Sequence, residues 1–335
     1  MGTDDHLDNE IEVSAQLTQS GVTAKAKSRT VSAIDRLGGN LVDFLNTKIE
    51  KRTSRDRAII RGEKQLMDAV VKSAVERIEV DPAFADRAVR AHFHDVLENQ
   101  ENKDGVVSAA LEDLRTNPPT GAEATTGPDE LSPEFQSRFG EYAKVASTDE
   151  LRSRWGRVLA SEIRKPGTFS PKVLRVIDEL TPQTARHFER FCGFRIGKSV
   201  PIILFGEINF GTALSLTSSE LIIDPGQGGH VLNPSTITVD GTVARLYRFE
   251  MLAISVPADA SRQANKPKKY FDSDHRMRVY LLSPSGQAIA SILPDRSEER
   301  LREMQEKLRA YYGQDTSIQT WRPNPNDREE WISYD

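Results

Sequence analysis

Residues 151–191, LRSRWGRVLASEIRKPGTFSPKVLRVIDELTPQTARHFERF, carry prolines at 166, 171 and 182, and their spacing restricts this stretch to short helices. Proline is disfavoured inside a helix, whereas at the first helical position its missing N–H costs nothing. Leu151, Trp155, Val158, Leu159 and Ile163 recur at helical spacing, and Lys165-Pro166-Gly167 stops that helix. Ser170 is placed to cap a second helix that opens at Pro171 and turns Val173, Leu174, Ile177 and Leu180 inward. Thr181-Pro182 repeats the device for a third, with Ala185, Phe188 and Phe191 on its apolar face. Trp155, Pro166, Gly167, Ser170, Thr181 and Phe188 are therefore structural residues, and the three helices are expected to meet at sharp angles.

Elsewhere the apolar period divides the chain. Residues 1–28 are polar and Ser/Thr/Gln-rich, without an apolar repeat, and are expected to remain disordered. Over 29–116 charged amphipathic helices are expected, with Ile34, Leu37, Leu41, Phe44 and Leu45, and later Leu66, Val70, Val71, Ala74, Val75 and Ile78, three or four residues apart. EKRTSRDRAIIRGEK interleaves both charges along a solvated helical face. The Pro/Gly/Thr-rich residues 117–130 read as a linker. A compact helical module is assigned to 131–195.

From 196 to 293 the pattern becomes strand-like. VPIILFGEI and ELIID are short apolar runs bounded by Gly, Pro and Asp, and STITVDGTVARLYRFEMLAISV places two β-rich runs around Asp240-Gly241, a hairpin signal. RMRVYLLSPSGQAIASIL predicts a strand, a Ser-Pro-Ser-Gly turn and an apolar segment. Residues 294–335 hold a charged helix that docks through Leu301, Met304 and Leu308, then a tail with Trp321 and Trp331 and no legible period. The fold class is α+β: helical N-terminal and central parts, then a smaller, mainly antiparallel β part and a C-terminal helix.

Several chemistries are disfavoured. The formal net charge of −5 in 335 residues argues against phosphate binding by the whole chain. With Cys192 the single cysteine, neither an internal disulfide nor a multi-cysteine zinc cluster is available, and a reducing, cytoplasmic location is expected. No apolar run is long enough for a membrane span, and the acidic start (Asp4, Asp5, Asp8, Glu10, Glu12) is unlike a signal peptide. GFRIGKSV ends like a phosphate loop, but Cys192 stands where the first glycine belongs and a helix precedes it. His92 and His94 point apart on a helix, so one metal ion cannot take both. DPGQGGH at 224–230 reads as an ordinary flexible turn. No catalytic residue, metal site or cofactor is predicted, although a pocket among the 197–290 strands leaves an enzyme open.

The run WGRVLASEIRKPGTFSPKVLRVIDELTPQTARHFERF, preceded by FQSRFGEYAKVASTDELRSR, resembles the bacterial domain of unknown function 2806 family. The resemblance rests on Trp155, Leu159, Ala160, Glu162, Pro166, Gly167, Ser170, Leu174, Ala185 and Phe188 and covers residues 131–192, with weaker similarity in the charged helices before and in YLLSPSGQAIASIL after. It implies a bacterial cytoplasmic protein and transfers no activity.

One excess remains. Between Leu151 and Arg195 stand ten Lys/Arg against four acids, and Arg154, Arg157, Arg164, Lys165, Lys172 and Arg175 are the candidate binding residues. They either contact phosphates beside helix termini or form pairs such as Arg175 with Glu179, or bind acids of the N-terminal helices. Glu162 is expected to bond a neighbouring helix rather than act as a base. The leading expectation is a non-enzymatic interaction or regulatory protein, self-associating or partner-binding through its helices. Nucleic-acid binding through 151–195 is the alternative, and a stress or anti-phage defence component a further one.

Overall fold

A computed structural model describes residues 28–33, 37, 82–120, 123, 127–226, 229–239, 241–324 and 331–334, with side chains between 82 and 93 left aside. The tail 1–27 and most of the expected helices over 34–78, including EKRTSRDRAIIRGEK, lie outside the described residues. The chain forms two compact units, Met1–Pro171 and Lys172–Asp335. Residues 117–130 thus sit within the first unit, and the division falls inside the span 131–195 assigned to one helical module.

In the first unit, α1 runs unbroken from Pro82 to Thr116. Next comes α2, Pro133–Ala143, which opens where Ser132 Oγ accepts the Phe135 N–H at 3.1 Å with Pro133 at the first position. The third helix, α3, Asp149–Arg164, is capped by Thr148, whose hydroxyl accepts the Leu151 N–H at 3.2 Å, and carries Asp149 and Glu150 in its positive first turn. The buried faces of α1 (Val106, Ala110, Leu114) and α3 (Val158, Leu159, Ile163) pack together. Their backbones approach closely at Gly156, where an added Cβ would lie 2.6 Å from Ala109 Cβ. Trp155 is clasped by α2, stacked on Tyr142 at 5.0 Å and edge-on to Phe139 at 5.7 Å. Buried Asn102 ties the three helices, donating to Lys144 O at 2.9 Å and accepting from Arg152 at 2.9 Å.

Helix α4, Pro171–Glu179, opens at the division, and α5, Pro182–Cys192, follows with Thr181 accepting the Thr184 N–H at 3.1 Å. The strand expected from VPIILFGEI is only partly realised. β1 is Ser199–Pro201, and IILF instead forms α6, Ile202–Phe205, with Pro201 the extended residue that precedes its first turn. After α7, Phe210–Ser218, ELIID makes only the bridge Ile222 to Leu282.

Two antiparallel sheets follow. The first orders β1, β6 (Met277–Leu281) and β2 (His230–Leu232), with β6 in the middle. The second orders β3 (Ser235–Val239), β4 (Thr242–Phe249), β5 (Leu252–Pro257), β7 (Gln319–Pro323) and β8 (Trp331–Ser333). The expected hairpin around Asp240-Gly241 forms, with Val239 opposite Thr242. The tail without period supplies two strands: Trp321 pairs with Ala253 on one side and Ser333 on the other, and its indole N–H donates to Ser255 Oγ at 2.9 Å.

The Ser-Pro-Ser-Gly turn is corrected to a helix start. Ser283 Oγ accepts the Gly286 N–H at 2.9 Å and opens α8, Pro284–Ala290. Ser-Pro serves a turn or an N-cap equally well, and here the helix wins because Gly286 lies directly against the Leu221 carbonyl, where an added Cβ would collide. The last helix, α9, Ser297–Tyr312, docks as expected through fully buried Leu301, Met304 and Leu308, in one cluster with Tyr247, Ile254, Phe271 and Met277. The fold class is α+β, helices preceding sheets.

Candidate functional site

Of the six basic candidates, four lie in the first unit and two in the second. Arg154 faces Glu150 one turn back at 3.4 Å. Arg157 is half-buried, and its Nε has no hydrogen-bond partner among the described residues. Arg164 pairs with Asp113 of α1 and donates to Asn117 O at 2.8 Å. Lys165 is exposed at the end of α3. Lys172 pairs with Glu220, and Arg175 reaches both Glu179 at 3.6 Å and Glu220 at 3.4 Å. These two cations, the Lys172 hydrogen bond foremost, hold the Glu220 carboxyl below its ordinary range. Both expected kinds of pair are present: Arg175 with Glu179 within a helix, Arg164 with an acid of an earlier helix.

The end of α3 shows what else arginine does here. The Arg29 side chain is fully buried, and its guanidinium donates to the carbonyls of Ile163 (3.3 Å), Arg164 (3.5 Å), Glu123 (3.3 Å) and Pro128 (2.7 Å). A cation at the negative end of α3 satisfies carbonyls that have no partner within the helix. Arg29 drew no notice in the sequence because it lies at the edge of a polar tail.

Glu162 does not reach a neighbouring helix; that expectation is corrected. Its carboxylate, 2% exposed, folds onto the loop after α3, accepting the Gly167 N–H at 2.6 Å and the Phe169 N–H at 2.9 Å. Burial pushes its pKa up, against the downward pull of the N–H groups of Gly167, Phe169 and Thr168. With both oxygens engaged, Glu162 fastens the Pro166-Gly167 reversal and is poorly placed as a base. Trp155, Thr181 and Phe188 are buried or capping, while Pro166, Gly167 and Ser170 occupy the connections between α3 and α4.

Cys192 and the GFRIGKSV run present neither an activated nucleophile nor a phosphate loop. Cys192 is a buried free thiol whose pKa is pushed up to about 12 by desolvation, which leaves it neutral at pH 7 and a poor nucleophile. In GFRIGKSV, Ser199 is buried in β1, so its hydroxyl is not presented to a phosphate, and the Lys198 ammonium lies 3.7 Å from Glu250. The 224–230 turn closes on itself through Gly226 N–H to Asp224 at 3.0 Å and Gly229 N–H to Pro225 O at 3.0 Å, with Gln227 and Gly228 outside the described residues. Exposed His94 pairs with Glu98 at 3.5 Å, while the His92 side chain lies outside the described residues. Among the described residues no group of three or more His, Cys, Asp or Glu could hold a metal ion.

What the sequence reading missed is an apolar face on α7. Asn209 caps this helix, accepting the Thr212 N–H at 2.9 Å. Leu216 is buried, and Ser215 meets Thr184 of α5 at 3.0 Å, which fixes the helix by one side. The opposite side presents Phe210, 81% exposed, and Leu214, 56% exposed, one turn apart. Scattered apolar side chains on a surface are ordinary, but an aromatic and a leucine in i, i+4 register are the contact pattern of a helix laid against a partner. The legible signal was Asn-Phe-Gly-Thr-Ala-Leu, an N-cap followed by an i, i+4 apolar pair.

The model of a family described as a protein of unknown function, DUF2806, matches residues 86–206. Neither a curated protein nor a solved structure matches the chain. No helix among the described residues is long and apolar enough to cross a membrane.

Proposed function

Taking as premise that residues 86–206 belong to the domain of unknown function 2806 family, we propose that the protein is a non-enzymatic interaction or regulatory protein of the cytoplasm that associates through its helices. The observation that carries this reading is the Phe210/Leu214 stripe on α7. Burying such side chains is worth roughly 1.5–3 kcal/mol each, and a chain that leaves both in water forgoes that stabilisation unless a second surface covers them. The single cysteine, kept as a buried thiol, suits a reducing compartment.

The nucleic-acid reading of residues 151–195 has less support. Arg154, Arg164, Lys172 and Arg175 face carboxylates, which cancels much of the local charge that phosphate attraction needs. Sedimentation of the full chain over a wide concentration range tests the preferred reading. Wild type is expected to self-associate, and the double variant Phe210→Glu/Leu214→Glu to remain monomeric with unchanged circular dichroism. A wild type that stays monomeric throughout, or a double variant that associates as wild type does, overturns it.

A further inference from the structure

The basic residues after α4 have a different fate from those before it. Within the second unit, the end of α5 and the start of α9 enclose a pocket of about 400 Å³ whose walls include Arg186, Arg190, Arg195, Arg296 and Arg300, with Glu189 the single acidic side chain among the lining residues. We propose that this pocket binds a small phosphorylated ligand bearing at least two negative charges, of the size of a diphosphate group.

Two of the five arginines are built into the wall. Arg195, 7% exposed, donates to the carbonyls of Cys192 (3.2 Å), Leu293 (3.3 Å) and Pro294 (3.1 Å). Arg300 donates to Gly193 O at 2.8 Å, lies over the Phe194 ring at 4.9 Å, and is neutralised by Glu303 at 2.5 Å and Glu299 at 3.3 Å. Among the described residues no carboxylate pairs with Arg195 within 4 Å, and its hydrogen-bond partners are neutral carbonyls, so its field is left over at the site.

The other three are unneutralised. Arg186, Arg190 and Arg296 are exposed, and none forms an ion pair with a described residue. Arg186 and Arg190 stand four residues apart on α5, where like charges repel and cost stability. Glu250, Lys198 and Glu207 all find partners in this unit, whereas these arginines line one concavity with Glu189 as its single acidic side chain, which pairs with none of them. An oxyanion with several acceptor oxygens answers that arrangement, since guanidinium groups match phosphate in paired N–H to O contacts. The clustering of the guanidinium groups around one concavity, rather than its volume, favours a compact polyanion over an extended strand, whose phosphates call for charge spread along a groove. The inference is independent of α7 and stands whether or not the chain associates.

Isothermal titration of the full-length protein with inorganic pyrophosphate, at constant ionic strength, tests it. Saturable binding is expected, and each of Arg190→Gln and Arg296→Gln should weaken it about tenfold, as the loss of one charge-assisted contact implies. Because both side chains are exposed and unpaired, Arg296→Gln should unfold at the wild-type denaturant midpoint and Arg190→Gln at or slightly above it, which separates loss of the site from loss of the fold. ADP in place of pyrophosphate distinguishes an ester-linked diphosphate from a free one, and saturable binding of either supports the site. No saturable binding of either, equal binding by the variants, or binding only of a single-stranded oligonucleotide overturns it.

Discussion

The two units differ in how much of their arginine charge they spend internally. In Met1–Pro171, the guanidinium groups of Arg29, Arg152 and Arg164 are spent on helix-end carbonyls, on Asn102 and on Asp113, and they bind the helices to one another. In Lys172–Asp335 the core is an aromatic and aliphatic cluster around Tyr247, Phe271 and α9, and Arg186, Arg190 and Arg296 take no part in it. The second unit also fastens with arginine, at Arg195 and Arg300, but it leaves the charges of Arg186, Arg190 and Arg296 unspent. Counting ten Lys/Arg between 151 and 195 therefore said little about binding, because each side chain's partners decide whether its charge remains available.

Arg29→Ala should break this contrast most sharply. It leaves the Ile163, Arg164 and Pro128 carbonyls without their donor, and urea unfolding should report a loss of about 2–3 kcal/mol. A loss below about 0.5 kcal/mol would mean that Arg29 is not fastening the unit.

Glu162→Gln should come next. One acceptor oxygen is replaced by a donor facing the N–H of Gly167 or Phe169, at a cost of about 1–2 kcal/mol at neutral pH. Burial holds the folded Glu162 pKa above the ordinary 4.5, so the folded chain binds an extra proton between those values. This group's contribution is greatest at low pH and declines as pH rises from about 4.5 through the folded pKa. The Gln variant should lack that slope in a series of unfolding curves, and an identical slope would refute the assignment.

Arg190→Ala should have the smallest effect and the opposite sign. Relief of repulsion from Arg186 is expected to stabilise the second unit by a few tenths of a kcal/mol, less at high salt. A clear loss of stability would show that Arg190 is as structural as Arg29.

Where local rules act, the sequence was readable. Thr181-Pro182 opened α5, Asp240-Gly241 marked a hairpin, and the Leu301/Met304/Leu308 stripe was buried as its spacing required. Each is decided within a few residues by capping, turn geometry or period. Ser283-Pro284 shows the limit of such rules, since a cap and a turn share the same residues until packing against Leu221 selects one. The strands at Trp321 and Trp331 escaped for a related reason. They are short; β7 pairs with β5, more than sixty residues away in the chain, and β8 is placed by β7.

The sequence alone determined the α+β class, the helix boundaries around Pro166, Pro171 and Pro182, and the family resemblance at 131–192, since those rest on covalent constraints and short-range periodicity. Tertiary structure alone decided that the compact units divide between Pro171 and Lys172, that Glu162 turns back on its own loop, and which arginines keep their charge. Burial and electrostatic pairing depend on which distant segments meet, as when Arg195 of the α5 end joins Leu293 and Pro294. A linear pattern carries the charge of a side chain but not the partner that cancels it.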